Sequence, residues 1–279
     1  MIFIADSGET HVSEELIRDI HRLTTDGIDY PHNTPGVYRS NQPVAGDYLP
    51  PETNEEVRLL MGEFVSWLNS GERLHWDPIV RAIVSHFYVV SIHPFGDGNG
   101  RISRALESFL LYQGGINVRG FYSLANFYYE NRSDYYNNLD SARFREGGDL
   151  TPFVLFALRG LESELKSIAD GVVEETKWIA FKVFVHEIVL DSDKRQTPAV
   201  AMRLFKLATR IPSDGVTATQ LNRIASSIAP EYRKLGERTL SRDVNKLIEL
   251  DLWTNEDKIL RPNIGRMDPF TASALPASE

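Results

Sequence analysis

His93-Pro94-Phe95-Gly96-Asp97-Gly98-Asn99-Gly100-Arg101-Ile102-Ser103-Arg104 is the stretch on which the reading turns. Just upstream, Asp77 is a good N-cap and Pro78 a good first helical residue. Ile79, Val80, Ile83, Val84 and Phe87 then recur at i, i+1, i+4, i+5 and i+8, which predicts a buried helix running straight into His93. Downstream, Arg101 to Gln113 reads as a second helix, with Ile102, Ala105, Leu106, Phe109 and Leu110 inward and Gly114-Gly115 as its stop. Alternate glycines between the two helices let the backbone fold tightly and turn several N–H groups toward one point. The start of the second helix adds unpaired N–H groups and partial positive charge, so an anion is expected there, phosphate above all. Arg101 and Arg104 share a helix face and both can reach that anion. Asp97 is a hard oxygen ligand beside it, as Mg²⁺ between two phosphates requires. His93 titrates near neutral pH and is the candidate general base, while Phe95 is expected to point into the core. Singly, a glycine-rich turn, a histidine or an arginine at a helix start is usually plain structure. Their coincidence in one short segment supplies the parts of a phosphoryl or nucleotidyl transfer site.

Around this segment the chain reads as mainly helical. Ser13 to Thr24 has Leu16, Ile17 and Ile20 on one face, with Leu23 continuing it, and Glu55 to Leu68 carries Val57, Leu60, Met61, Phe64 and Leu68 as its stripe. Helices are also predicted at 132–142, 150–165 and 177–190, and a hairpin or flap from Val37-Tyr38-Arg39 through Pro43–Tyr48. The 279 residues suffice for a real core, and 42% apolar with 25% charged residues excludes a disordered chain. Cysteine is absent, which excludes disulfides, thiolate metal sites and cysteine nucleophiles, and suits a reducing, cytoplasmic setting. Met1–Asp6 lacks the basic and apolar regions of a signal peptide, and no run is long enough to span a membrane.

Charge divides the chain. Residues 195–265 carry twelve Lys/Arg against eight Asp/Glu, a net +4 within a chain of net charge −9. An acidic body with a mildly basic module predicts two domains with different partners. The expected boundaries are 1–170 (core about 30–168), a connecting helix or linker at 171–194, a module at 195–265, and a disordered tail at 266–279.

The central segment resembles the signature of the Fic family, His-x-Phe-x-Asp/Glu-Gly-Asn-Gly-Arg-x-x-Arg, with every fixed position filled. The resemblance extends over about residues 12–168. It takes in Pro35-Gly36-Val37-Tyr38-Arg39, similar to the start of the family's flap, and Tyr135-Tyr136-Asn137-Asn138-Leu139, similar to its helix beside the nucleotide base. It implies a helical bundle with a small β-hairpin flap, and transfer of AMP from ATP to a Ser, Thr or Tyr hydroxyl of a protein, with release of pyrophosphate. On the matching positions it implies His93 as the base and Asp97 as the Mg²⁺ ligand. Gly98, Asn99 and Gly100 would bind phosphate oxygens, Arg101 and Arg104 would neutralise the β/γ end, and Tyr136 would contact the adenosine. The flap near Val37–Gly46 would hold the target by adding a strand. Gly100 stands where the phosphotransferase branch of the fold has Lys, which favours AMP transfer.

Many relatives carry an inhibitory Ser/Thr-x-x-x-Glu-Gly/Asn motif. Thr10-His11-Val12-Ser13-Glu14 is followed by Glu15, and Glu130-Asn131 has Asn126 where Ser or Thr is required, so neither qualifies. Either the chain is unregulated, or a partner chain or an upstream segment inhibits it. Homodimers are frequent in the family.

In the C-terminal module, helices are predicted from Thr217 to Ile228 and from Thr239 to Leu250. A hairpin of Leu252-Trp253-Thr254 and Ile259-Leu260 is expected across Asn255-Glu256-Asp257-Lys258. Helix, turn, helix and hairpin resemble a winged-helix domain. Arg238, Arg242 and Lys246 share a face that suits a DNA major groove, and equally a solvated face of a protein-interaction module. A regulator binding DNA or a partner through residues 195–265, with the Fic site sensing nucleotide, is therefore the alternative to an AMP-transferring enzyme.

Overall fold

The computed structural model describes residues 11–28, 32–40, 48–116, 123–144, 148–191 and 197–269. It divides into two compact units, Met1–Ile168 and Ala169–Glu279.

The first unit is built around helix α4 (Pro78–Ile92), for which Asp77 accepts the N–H groups of Ile79 and Val80 and Pro78 stands in the first turn. Burial on nearly all sides makes α4 central rather than amphipathic: Ala82, Ile83, Val84, Phe87, Val89, Val90 and Ile92 are all buried. On one side it packs with α1 (Glu14–Thr25), α2 (Asn54–Leu68) and α5 (Asn99–Gln113). On the other it packs with α6 (Leu124–Glu130), α7 (Arg132–Phe144) and the start of α8 (Thr151–His186). A single turn, α3 (Gly71–Leu74), leads into α4. Ser13 caps α1, and Thr53 with Glu56 forms a reciprocal capping box on α2.

Two expectations need correcting, and a third lies mostly outside the described residues. Leu23 does not continue the buried face of α1; it is 59% exposed. The face beyond Ile17 turns instead through His21 and Thr25, both fully buried, because these lie one and two turns further along the stripe. The segments 150–165 and 177–190 are joined into one helix running from 151 to 186, followed by a π turn at Glu187–Asp191. The predicted connecting segment 171–194 is thus helical through its greater part. The flap falls mostly on 41–47, outside the described residues, and none of residues 32–40 is in a strand.

The second unit contains the end of α8, α9 (Pro198–Thr209), α10 (Ala218–Ile228), α11 (Glu237–Glu249) and a three-stranded antiparallel sheet. The strands β1 (Val216–Thr217), β2 (Trp253–Glu256) and β3 (Ile259–Pro262) are ordered β1-β3-β2, with Val216 opposite Leu260 and Trp253 opposite Pro262. Trp253 is the largest fully buried side chain of this core. The hairpin is tighter than expected. Asn255 and Glu256 extend β2, and Asp257 and Lys258 alone make the turn, at φ 53° and 64°. That double positive φ matches the right-handed twist of the paired strands. Helix α9 and strand β1 carried no recognised signal. Residues 266–269 depart from the expected disordered tail: Met267 is buried in the core and Asp268 pairs with Lys177 at 2.8 Å. Residues 270–279 lie outside the described residues.

Candidate active site

Helix α4 ends at His93, whose backbone lies in the left-handed region (φ 52°, ψ 57°). Pro94 follows, and its ring disfavours a helical residue before it. The loop then folds over α1. The Phe95 ring is fully buried and stacks on the His21 ring at 3.7 Å and 2°. Asn99 closes the turn from within: its Oδ1 accepts from the Phe95 N–H at 2.9 Å, and its Nδ2 donates to the Phe95 carbonyl at 2.7 Å. His21 Nε2 donates to the Asp97 carbonyl at 2.9 Å, while its Nδ1 accepts from the Gly36 N–H at 2.9 Å. Those partners define a neutral ring, and burial indeed holds the His21 imidazole below its ordinary pKa.

The three glycines do three different jobs. A Cβ on Gly96 would stand 2.1 Å from the His32 carbonyl oxygen. Gly98 takes φ +79° as the N-cap of α5, with Thr25 Cγ2 only 2.6 Å from where a Cβ would be. Gly100 lies inside α5, which begins at Asn99 rather than Arg101, and meets only the flexible Arg104 guanidinium. The first-turn N–H groups of Asn99 and Gly100 have no carbonyl one turn earlier in the helix to receive them.

His93 is held neutral. Burial lowers its pKa to about 4, with the Arg39 and Arg143 charges acting in the same direction, against a hydrogen bond to Val90 and the Asp97 charge. The His93 Nδ1 lies 3.4 Å from the Val90 carbonyl, which can only accept. Nδ1 therefore carries the hydrogen, and Nε2 is the basic nitrogen.

The expected anion clamp is only partly free. Arg101 donates to Asp97 Oδ2 at 2.5 Å and to the Thr24 carbonyl at 3.1 Å, so it is tethered to the loop and to α1. The Arg104 guanidinium, among the described residues, makes no hydrogen bond or ion pair and lies back over Gly100. The Asn99 side chain is consumed inside the turn, so a phosphate contact by this residue would fall to its backbone N–H. Tyr136 is 48% exposed on α7, beneath the Arg132 guanidinium.

Several residues escaped the sequence reading. Arg39, noted only as flap, donates through Nε to the His93 carbonyl at 2.7 Å. Arg143 donates to Ser91 Oγ at 3.1 Å and the Val90 carbonyl at 3.3 Å, and lies 3.8 Å from the Tyr48 ring centroid. Behind the site, His86 is bracketed by Glu107 at 3.3 Å and Tyr135 at 3.0 Å, and Tyr128 donates to Glu107 at 2.9 Å. A polar residue at an inward helix position, such as His86 or Glu107, is the signal that could have revealed this network.

A left-handed neutral histidine is thus followed by a glycine-capped helix start. The Fic/DOC family model matches residues 11–111. The protein adenylyltransferase Fic of Aedes aegypti is 36% identical over 140 residues, covering 50% of this chain and 26% of that protein. The protein of the same name from Nematostella vectensis is 32% identical over 169 residues, covering 56% and 36% respectively. The chain thus spans about a quarter to a third of the length of these relatives. Among solved structures, residues 134–508 of Fic-1 from C. elegans align with a TM-score of 0.48 and 28% identity, over 61% of this chain and 48% of that one.

Proposed function

We propose that the first unit is a protein adenylyltransferase, moving AMP from ATP to a Ser, Thr or Tyr hydroxyl of a protein. The observation that carries this reading is the pairing of an uncharged His93, basic at Nε2, with an unpaired Arg104 and the open N–H groups at the start of α5. In this reading the target oxygen attacks the α-phosphorus as its proton passes to His93 Nε2. The bond from the α-phosphorus to the bridging oxygen breaks, and the pair leaves with pyrophosphate. The N–H groups of Asn99 and Gly100 hold phosphate oxygens, Arg104 offsets the charge at the leaving end, and Tyr136 offers an exposed ring to the base.

Asp97 would bind Mg²⁺. Among the described residues no group of three His, Asp or Glu side chains is placed to hold a metal. That fits Mg²⁺, which takes one or two carboxylates and fills its shell with phosphate and water. When bound, it would neutralise charge on the phosphates. Asp97 Oδ2 would have to trade Arg101 for it, which a 28%-exposed carboxylate permits.

The test is transfer of label from α-labelled ATP to protein in the presence of Mg²⁺. His93→Ala is expected to lower transfer by 10²–10⁴-fold, the usual share of a general base, with ATP affinity by calorimetry within about twofold. Transfer that survives the substitution would remove His93 from its role.

A second reading concerns residues 195–265, for which we propose a winged-helix domain. Three helices with a three-stranded antiparallel sheet support it. Helix α11 buries Leu240, Val244 and Leu247 and turns Arg238, Arg242 and Asn245 outward, a face suited to duplex DNA. A salt-dependent shift of random duplex by the full chain, lost in Arg238→Glu/Arg242→Glu, is expected; no shift at ~50 mM salt counts against DNA. No described helix is long and apolar enough to cross a membrane. A reducing, cytoplasmic setting and homodimerisation are further parts of the proposal, resting on composition and on the family resemblance.

A further inference from the structure

Arg39 is a long cation that is only 4% exposed. Its donors are spent largely on backbone carbonyls at one place, the end of α4. Nε donates to the His93 carbonyl at 2.7 Å, and one terminal nitrogen donates to the Pro51 carbonyl at 2.6 Å and the Ile92 carbonyl at 3.4 Å. The Arg39 backbone takes part as well: its N–H donates to the Pro94 carbonyl at 3.0 Å, and its own carbonyl accepts from Asn54 Nδ2 at 2.6 Å. Three consecutive residues, Ile92, His93 and Pro94, are therefore gripped by a single arginine. The middle one has left-handed backbone (φ 52°), a conformation a non-glycine residue keeps only when its surroundings over-determine it. The last carbonyls of a helix are also its negative end, where a cation is favoured.

We propose that Arg39 is the positioning residue for His93, its guanidinium fixing the left-handed backbone from which the imidazole projects toward the target hydroxyl. The inference rests on the adenylyltransferase reading for its consequence in rate, and on geometry alone for the clamp. The planar fork matters: five N–H donors in fixed directions reach several carbonyls at once, which a lysine ammonium at the end of a flexible stem cannot do. Charged groups facing the His93 ring are Arg39, Arg143 and Asp97.

The experiment compares the full-length chain with Arg39→Ala and Arg39→Lys. Two readouts are taken: rate of label transfer against ATP concentration, and a carbon-13 NMR titration of the His93 ring, assigned by its loss in His93→Gln. Arg39→Ala is expected to lower kcat at least tenfold with KM for ATP within twofold, and to raise the His93 titration midpoint above that of the native chain. Guanidinium chloride at millimolar concentration is expected to restore transfer in Arg39→Ala. Arg39→Lys is expected to be as slow as Arg39→Ala; should the alanine variant not fold, the lysine variant carries the test. A native-like kcat in either variant overturns the proposal. So does a parallel loss of kcat, ATP affinity and thermal stability without restoration by guanidinium, which marks a merely structural role. If the native chain transfers no label, the adenylyltransferase reading fails by itself. Arg39 is then judged by the titration, and an unmoved His93 midpoint in Arg39→Ala and Arg39→Lys overturns the clamp.

Discussion

Each unit of this protein contains an arginine–aspartate pair, and the two pairs are opposites. In the second unit Arg203 grips Asp243 with two bonds, Nε to Oδ2 at 2.7 Å and a terminal nitrogen to Oδ1 at 3.1 Å. Tyr232 adds a third bond to Oδ2 at 2.7 Å. The side chains are 11% and 7% exposed, and both carboxylate oxygens face donors. In the first unit Arg101 meets Asp97 through a single contact, with side chains 32% and 28% exposed. The first arrangement welds α9 to α11 and the turn at Pro230–Arg233. The second leaves Asp97 able to change partners beside unreceived helix N–H groups. An ion pair that is complete and dry is architecture; one that is incomplete and wet can serve a ligand.

Removing one partner should separate the two cases. Asp243→Ala strands a buried guanidinium and a buried tyrosine hydroxyl, and is expected to cost about 3–5 kcal/mol of unfolding free energy, read by denaturant titration. Gly98→Ala comes next, at about 2 kcal/mol or more, because a Cβ at φ +79° is strained and would press into Thr25. Transfer activity should fall with it, since the same residue caps α5. The smallest stability change is expected for Asp97→Ala, within about 1 kcal/mol, as suits a partly exposed pair held by a single contact. Its effect should fall on the Mg²⁺ dependence of transfer instead. A loss of stability as large as that of Asp243→Ala would erase the distinction.

Acid sharpens the contrast in another way. His93 and His21 both have pKa values below the unfolded value of 6.5, His93 at about 4, so between those limits the unfolded chain binds more protons. The stability that His93 contributes is fully present above pH 6.5 and is lost as pH falls toward 4, and His21 acts in the same direction. Transfer should likewise persist below pH 6 and fall only as His93 takes a proton near pH 4. A rate profile falling near pH 6.5 would mean an imidazole exposed to water.

Much of the site was legible in advance. The segment His93–Arg104 and the cap at Asp77-Pro78 are local features, read from neighbours in the chain. The partition of roles inside the segment was not. Asn99 was expected beside phosphate with no choice between side chain and backbone, and the turn it closes encloses its amide. Arg101 and Arg104 looked equivalent because they share a helix face, yet only Arg101 has the Thr24 carbonyl within reach.

What the chain order determined by itself is what sequence spacing encodes: the buried helix before His93, the glycine-opened helix after it, and the charge difference of residues 195–265. Local sterics and the helical period act over a few residues, so they leave a readable pattern. Only the tertiary structure decided that His21 would hold the Asp97 carbonyl and that Arg39 would seize the end of α4. Those bonds join residues separated by 76 and 54 positions. They form because burial obliges each polar group to find a partner, and that obligation leaves no period in the sequence.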